Sequence, residues 1–310
     1  MRRLAPCLAI LSALLASPAT GQDVVRPPAQ APAETEAPAP EGDTTIVVTG
    51  KSEEGARREA YEQTRDVSRV GRYQLYDETL PRFEAPLCPS VLGINREQAG
   101  EIADRIRDNA SRLMVRVGGQ RCEPNLFVAF AEDGQELVSR LASTHRSSFC
   151  IVEESEQEEI LRDGEPVRVW NFIRIIDIRN GGGPTRIFHC REDVPSQGSK
   201  VGMFLPERRD IVTSLVVFDR EQVVGMTTVQ LADYATMRGL SHTRPADGTE
   251  PMETILALFA GDRASPLELT RFDVSYLEDL YSGRPDLRAQ SRFLGIGERA
   301  EEAHENARER

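Results

Sequence analysis

The segment Ile211–Leu240 constrains the fold most strongly, because it joins a buried strand to a capped helix. Ile211–Phe218 is a short apolar run rich in valine, which predicts a largely buried strand. Thr227 or Thr228 then offers a hydroxyl to the free N–H groups of a first helical turn. We predict the helix itself over Val229–Leu240, since glycine and proline follow soon afterwards.

This predicted helix has a face of small residues. Ala232, Ala235, Thr236 and Gly239 share one side of the helix at helical spacing. Short side chains let another part of the chain approach the helix closely. Packing of the helix against the sheet accounts for the pattern without any catalytic role.

The same helix resembles, in degenerate form, the zinc-binding helix of the metzincin metallopeptidases, whose pattern is H-E-x-x-H-x-x-G-x-x-H. The pattern falls on Ala232, Asp233, Thr236, Gly239 and His242. The glycine and the last histidine match, whereas the glutamate and the first two histidines are replaced. The resemblance therefore implies a zincin-like helix that has lost its metal, because alanine cannot bind zinc and a catalytic site needs about three protein ligands. His242 is the only residual candidate ligand.

A second resemblance covers Leu269–Gly283, with the sequence LTRFDVSYLEDLYSG. It is similar to the close of some uncharacterised bacterial secreted families. Certain of these families have an intact zinc-binding helix upstream. The two resemblances together imply a degenerate, metzincin-like member of such a secreted or periplasmic family.

The first 50 residues predict export followed by a tether. Residues 1–21 combine two arginines, an apolar stretch and small residues, which is the pattern of a signal peptide. Residues 22–50 are dominated by proline, alanine and glutamate, which predicts a disordered linker. Thr45–Gly50 resembles the segment near the N-terminus of TonB-dependent outer-membrane receptors, where it adds as a strand to the energising partner. The resemblance implies edge-strand addition; the alternatives are a short tethering strand and a chance result of composition.

The remaining chain predicts one α+β domain between two charged helices. We expect residues 51–72 to form a charged helical arm in solvent, and residues 284–310 to form a charged C-terminal helix that frays. Residues 73–283 are long enough to bury a substantial core. We predict a mixed, mostly antiparallel sheet packed against helices, and the metzincin resemblance implies that this domain is zincin-like.

Several elements inside the domain have clear local signals. Asn95 predicts the cap of an amphipathic helix, and Asn125–Ala131 reads as a strand. Val167–Arg179 alternates apolar with polar residues, which is typical of a half-buried antiparallel strand. Thr185–Cys190 is its predicted hairpin partner. Glu153–Glu159 is rich in carboxylates and favours a solvated face.

The cysteines predict two disulfides. Four remain after the signal peptide, namely Cys88, Cys122, Cys150 and Cys190. An even number in an exported chain indicates disulfide bonds. Nearest-neighbour pairing gives Cys88–Cys122 and Cys150–Cys190, although three pairings are conceivable. A four-cysteine zinc site needs closely spaced pairs, which this sequence lacks.

Charge and motifs exclude several functions. The formal charge is −12, and no basic stripe occurs, so nucleic acid is not an expected partner. The sequence has no G-x-S-x-G motif and no pair of histidines four residues apart. We therefore expect no cofactor. No segment after the signal peptide is apolar enough to span a membrane.

Two functional hypotheses remain. The first is a non-catalytic periplasmic or secreted protein that binds an envelope protein through a sheet edge, a cleft or its N-terminal tether. The second is a secreted hydrolase, related to metallopeptidases, with an unusual site that includes His242. A cluster of convergent ligands favours the second hypothesis, whereas a cleft without ligands favours the first. The oligomeric state and the partner are left open.

We predict that the chain is exported and cleaved near residues 19–21, where small residues follow the apolar stretch. N-terminal sequencing of the protein recovered outside the cytoplasm checks this expectation. Recovery of a mature protein that still begins with Met1 would contradict it.

Overall fold

A four-stranded mixed sheet forms the centre of the computed structural model. Its strands are β1 (Pro89–Leu92), β2 (Leu126–Ala131), β3 (Val167–Asp177) and β4 (Glu207–Asp219). Their order across the sheet is β1-β2-β4-β3. Strands β1, β2 and β4 are parallel, and β3 runs antiparallel to β4.

The structure describes most of the chain after the N-terminal tether, namely residues 53–71, 73–149, 152–178, 204–246, 253–261 and 265–308. All of these belong to one compact unit, Gly50–Arg310. The predicted signal peptide, the linker with Thr45–Gly50, the Cys150–Cys190 disulfide and the strand Thr185–Cys190 lie outside the described residues.

Helices surround the sheet on both faces. They are α1 (Glu53–Val67), α2 (Arg96–Arg112), α3 (Gly134–Thr144), α4 (Arg146–Phe149), α5 (Glu154–Leu161), α6 (Thr228–Leu240), α7 (Arg271–Tyr281) and α8 (Ala289–Arg308). Short 3₁₀ helices occur at Glu221–Val223 and Ile255–Ala257. The α+β class with a mixed sheet packed against helices is thereby confirmed.

The two faces of β2 show how the layers form. Leu126, Val128 and Phe130 belong to the larger core, together with residues of α2, α6, α7 and α8. Ala129 and Ala131 point the other way and pack on a smaller cluster that α3, α4 and α5 build around Trp170. Because both faces are covered, the strand is apolar throughout.

The sheet is mixed, as predicted, and combines antiparallel with parallel pairing. The alternating pattern of Val167–Arg179 correctly indicated an antiparallel strand, since β3 pairs with β4 in that sense. Between β1 and β2, however, the chain passes through α2, and a crossover helix makes its flanking strands parallel. Two of the three pairings are therefore parallel.

The charged helices at the two ends of the unit each bury one apolar face. Helix α1 packs along α8, and Ala60, Val67, Phe293 and Ile296 are buried in the larger core. The rings of Tyr61 and Phe293 meet edge to face with centroids 6.0 Å apart. The expectation that α1 is a fully solvated arm is therefore wrong, because its few apolar residues and those of α8 cover each other. The fraying of the C-terminal tail stays a prediction.

The first predicted disulfide is present. Cys88 and Cys122 are bonded across 34 residues of sequence. Cys88 directly precedes β1, and the side chain of Asn125, just before β2, accepts a hydrogen bond from its N–H at 2.8 Å. The crosslink therefore joins the starts of two neighbouring parallel strands.

The close contact between α6 and the sheet predicts that a larger side chain at Gly239 destabilises the fold. A Cβ atom at Gly239 would lie 2.7 Å from Cδ1 of Leu126, a side chain that is fully buried and has little room to move. We expect Gly239→Val to lower the free energy of unfolding by about 1–3 kcal/mol through overpacking. Chemical denaturation measures the change.

The matched control is Gly100→Val in α2, where an added Cβ meets nothing within 4 Å. This exposed substitution should change the free energy of unfolding by less than about 0.5 kcal/mol. Equal effects at the two positions would contradict close packing of α6 on the sheet.

Candidate functional site

Helix α6 begins where the sequence predicted and is buried along nearly its whole length. Thr227 caps it: its hydroxyl accepts the N–H of Gln230 at 3.1 Å, while the Gln230 side chain accepts the N–H of Thr227 at 3.1 Å. All residues from Gln230 to Leu240 are buried. The helix therefore presents no open face at the metzincin-like positions.

Asp233, at the position of the metzincin glutamate, holds elements together. Its carboxylate is fully buried and accepts two hydrogen bonds from Arg105 of α2, at 2.8 and 2.7 Å. It also accepts the side-chain amide of Asn109 at 2.6 Å and the backbone N–H of Leu269 at 2.8 Å. These partners occupy both oxygens, so Asp233 has a structural role.

The other metzincin-like positions do not converge. The Thr236 hydroxyl donates to the carbonyl of Ala232 at 2.8 Å and accepts from Asn109 at 3.2 Å, on the α2 side. Gly239 faces β2 and β4 instead. His242 lies beyond the helix end, next to α5. Zincin ancestry thus remains a hypothesis that these contacts do not require.

The described residues contain no group of three or more His, Cys, Asp and Glu side chains that could hold a metal ion. Nor does any helix within the described ranges have the length and hydropathy needed to cross a membrane.

His242 pairs with a carboxylate that sequence reasoning assigned to solvent. Its Nε2 lies 3.0 Å from Oε2 of Glu156 in α5. Glu156 is only 5% exposed, and Arg69 Nε lies 3.9 Å from its other oxygen. Burial alone would raise the pKa of Glu156, but His242, Arg69 and Arg238 outweigh it and hold that pKa below its usual value.

A second carboxylate extends this network. Glu159 accepts a hydrogen bond from Arg69 at 2.7 Å and pairs with Arg238 of α6 at 3.4 Å. Arg238 is 1% exposed and also donates to the hydroxyl of Tyr234 at 3.2 Å. Helices α5 and α6 are therefore joined by ion pairs.

Arg69, Glu156 and His242 of this network line a cleft of about 220 Å³, which we call the His242 cleft. Its apolar walls are Val70, Val152, Phe172, Ile173 and Ile175. Its polar lining consists of Arg69, Glu78, Glu153, Glu156, Asn171, Arg209 and His242. Apolar walls around a few fixed polar groups are typical of a binding site.

A β-bulge lies beside this cleft. The register of β3 and β4 shifts between Phe172 and Ile173, because Thr213 and Ile211 are their partners and Val212 of β4 is skipped. Phe172 packs on the smaller core and Ile173 on the larger one, and both border the cleft at the edge of the sheet that β3 forms. Bulges are common at sheet edges and beside functional sites.

A larger but more open cleft, of about 460 Å³, lies at the carboxyl ends of β1, β2 and β4. This is the usual ligand position in parallel sheets. Here Arg220 donates to the carbonyl of Gly93 at 2.7 Å and pairs with Glu132 at 3.2 Å. The charge of Arg220 thus links the ends of the strands. Of the two clefts, the His242 cleft has the larger set of polar lining groups.

Comparisons with protein-family models, with curated proteins and with solved structures found no match to this chain.

Sequence reasoning missed the residues of the His242 cleft for two reasons. They come from segments far apart in the chain, from Arg69 to His242. In addition, Glu153–Glu159 looked like a solvated face. The available signal was the four-residue spacing of Glu156 and Ile160, both buried in α5, which places them on one helical face.

The ion pairs predict how acid affects stability. The pKa of Glu156 is lowered from 4.5 in the folded state, so its charge stabilises the fold above that pH, and this contribution is lost as the pH falls. We expect Glu156→Gln to lower the free energy of unfolding at neutral pH by about 1–3 kcal/mol. The deficit should shrink as the pH falls below about 4.5.

Glu158→Gln is the control, because it removes the same charge from an exposed position of α5. Denaturation of all three proteins at several pH values makes the comparison. A Glu156→Gln deficit that does not change with pH, or one equal to that of Glu158→Gln, would refute the assignment.

Proposed function

We propose that this protein is exported and acts without catalysis, binding a partner protein of the cell envelope through the His242 cleft. Export is supported by the N-terminal pattern and by the Cys88–Cys122 disulfide, since such bonds persist in oxidising compartments. The periplasm or the extracellular space is the corresponding location.

The observation that carries this proposal is the construction of the cleft. Most of its charged groups have partners, as in the pairs His242–Glu156, Arg69–Glu159 and Arg209–Glu78. Fixed polar groups between apolar walls favour selective binding with little reordering. A volume of about 220 Å³ suits one side chain of a larger partner, since clefts for whole small molecules usually begin at about 300 Å³.

One observation favours the alternative of a hydrolase. A carboxylate that orients an imidazole is the arrangement of a general base, and Glu156 holds His242 in this way at 3.0 Å. The described lining of the cleft, however, contains no serine, threonine or cysteine that could serve as a nucleophile. A hydrolase would therefore have to use water, and binding is the better-supported function.

A pair of substitutions in β3 tests the proposed binding site. Ile175 lines the cleft, whereas its neighbour Arg174 is exposed. We expect Ile175→Trp to fill the cleft and abolish capture of the envelope partner, while Arg174→Trp leaves capture intact. The purified exported chain, immobilised and exposed to envelope extract, provides the measurement through quantitative mass spectrometry of retained proteins.

Retention of the same proteins by Ile175→Trp, or no specific retention by the unaltered chain, would argue against the proposal. The hydrolase alternative has its own readout. If the unaltered chain hydrolyses ester or peptide substrates and His242→Ala abolishes this activity, the hydrolase function is favoured over the binding function.

A further inference from the structure

We propose that the His242 cleft recognises a single basic side chain, lysine or arginine, of the partner protein. This inference rests on the proposed binding function and specifies the chemistry of its ligand. It follows from the carboxylates that line the cleft, from an incompletely partnered buried carboxylate, and from the shape of the walls.

The described lining includes three carboxylates, Glu78, Glu153 and Glu156, beside two arginines and His242. Both arginines pair with carboxylates, Arg69 with Glu159 and Arg209 with Glu78, each at 2.7 Å, although Arg209 Nε makes no hydrogen bond. Glu153 has no ion-pair partner among the described residues, so a guest cation would meet a carboxylate whose charge is not already paired.

Glu156 supplies the second observation. This residue is 5% exposed and lines the cleft, and its Oε1 atom makes no hydrogen bond. Its nearest cation on that side is Arg69 Nε, at 3.9 Å. An incompletely satisfied buried carboxylate costs free energy, and a positive charge brought into the cleft would reduce that cost.

Glu153 lies where the cleft is exposed to solvent. It is exposed, and its side chain makes no hydrogen bond or ion pair with the described residues. Burial raises the pKa of Glu78; its partner Arg209 lowers this pKa, and the charges of Glu153 and Glu207 raise it further. Glu153 and Glu78 line the same cleft, so a cation bound in the cleft would be attracted by both carboxylates.

The walls fit the stem of a long basic side chain. Val70, Ile173 and Ile175 offer apolar surface along which a methylene chain can lie while its charged head meets the carboxylates. The whole chain has a formal charge of −12, which favours approach of a basic partner. Arginine anchored in such a pocket is a frequent source of binding energy at interfaces.

The only tryptophan of the protein provides a direct readout. Trp170 stacks on Phe172 with ring centroids 4.4 Å apart, and Phe172 lines the cleft. Blocked pentapeptides with a central lysine or arginine between glycines are titrated into the purified exported chain. Matched peptides carry norleucine, glutamine or glutamate at the centre. Fluorescence, with calorimetry as a second method, gives the affinities.

We expect the lysine and arginine peptides to bind about tenfold more tightly than the neutral peptides, with the glutamate peptide weakest. The preference should diminish at about 0.5 M ionic strength, where charges are strongly screened. Glu153→Gln should lower affinity for the lysine peptide about two- to fivefold. Glu154→Gln, which removes the same charge one residue away and outside the cleft, should leave it unchanged.

Three outcomes would overturn the inference: equal binding of basic and neutral peptides, no binding of any peptide, or equal loss in Glu153→Gln and Glu154→Gln. These results are distinguishable from failure of the proposed function. If Ile175→Trp still abolishes capture of an envelope partner while the peptides show no preference, the cleft binds that partner through other chemistry.

Discussion

The buried carboxylate of Asp233 is the interaction on which the described architecture most depends. Arg105, Asn109 and Leu269 all donate hydrogen bonds to it, so it joins α6 to α2 and to the segment that leads into α7. Removing one partner from such a buried pair leaves an uncompensated charge, which is strongly destabilising. With α6 fixed in this way, the position of His242 just beyond its end follows, and with it one side of the cleft.

The segment Ile211–Leu240 was predictable because its signals are local. A β-branched run predicts β4, a threonine hydroxyl predicts the start of α6, and small residues predict close packing that Gly239 shows against Leu126. Cys88 and Cys122 were paired correctly for a similarly simple reason, namely their proximity in sequence. The association of α1 with α8 was not predictable in this way, because each helix alone has too few apolar residues to indicate its partner.

The candidate site escaped prediction because no local pattern specifies it. The metzincin-like spacing predicted that five residues would share one surface. In the structure, Asp233 faces α2, Gly239 faces the sheet and His242 faces α5. A motif read along one helix assumes that its matching residues face a common space. That assumption fails for α6 because the helix is buried on every side, so each direction around it meets a different neighbour.

The charges between α5 and α6 are not explained by stability alone. Burying Glu156 and Arg238 costs desolvation, and well-packed apolar residues often stabilise a protein as much as a buried ion pair does. Ion pairs do supply something that apolar packing cannot, namely fixed charges at the edge of an accessible space. Asn171, which lines the same cleft and whose amide donates to the Ser214 hydroxyl at 2.8 Å, adds another polar group at this part of the sheet. A network that costs desolvation and ends at a cleft is accounted for when the cleft binds a charged group.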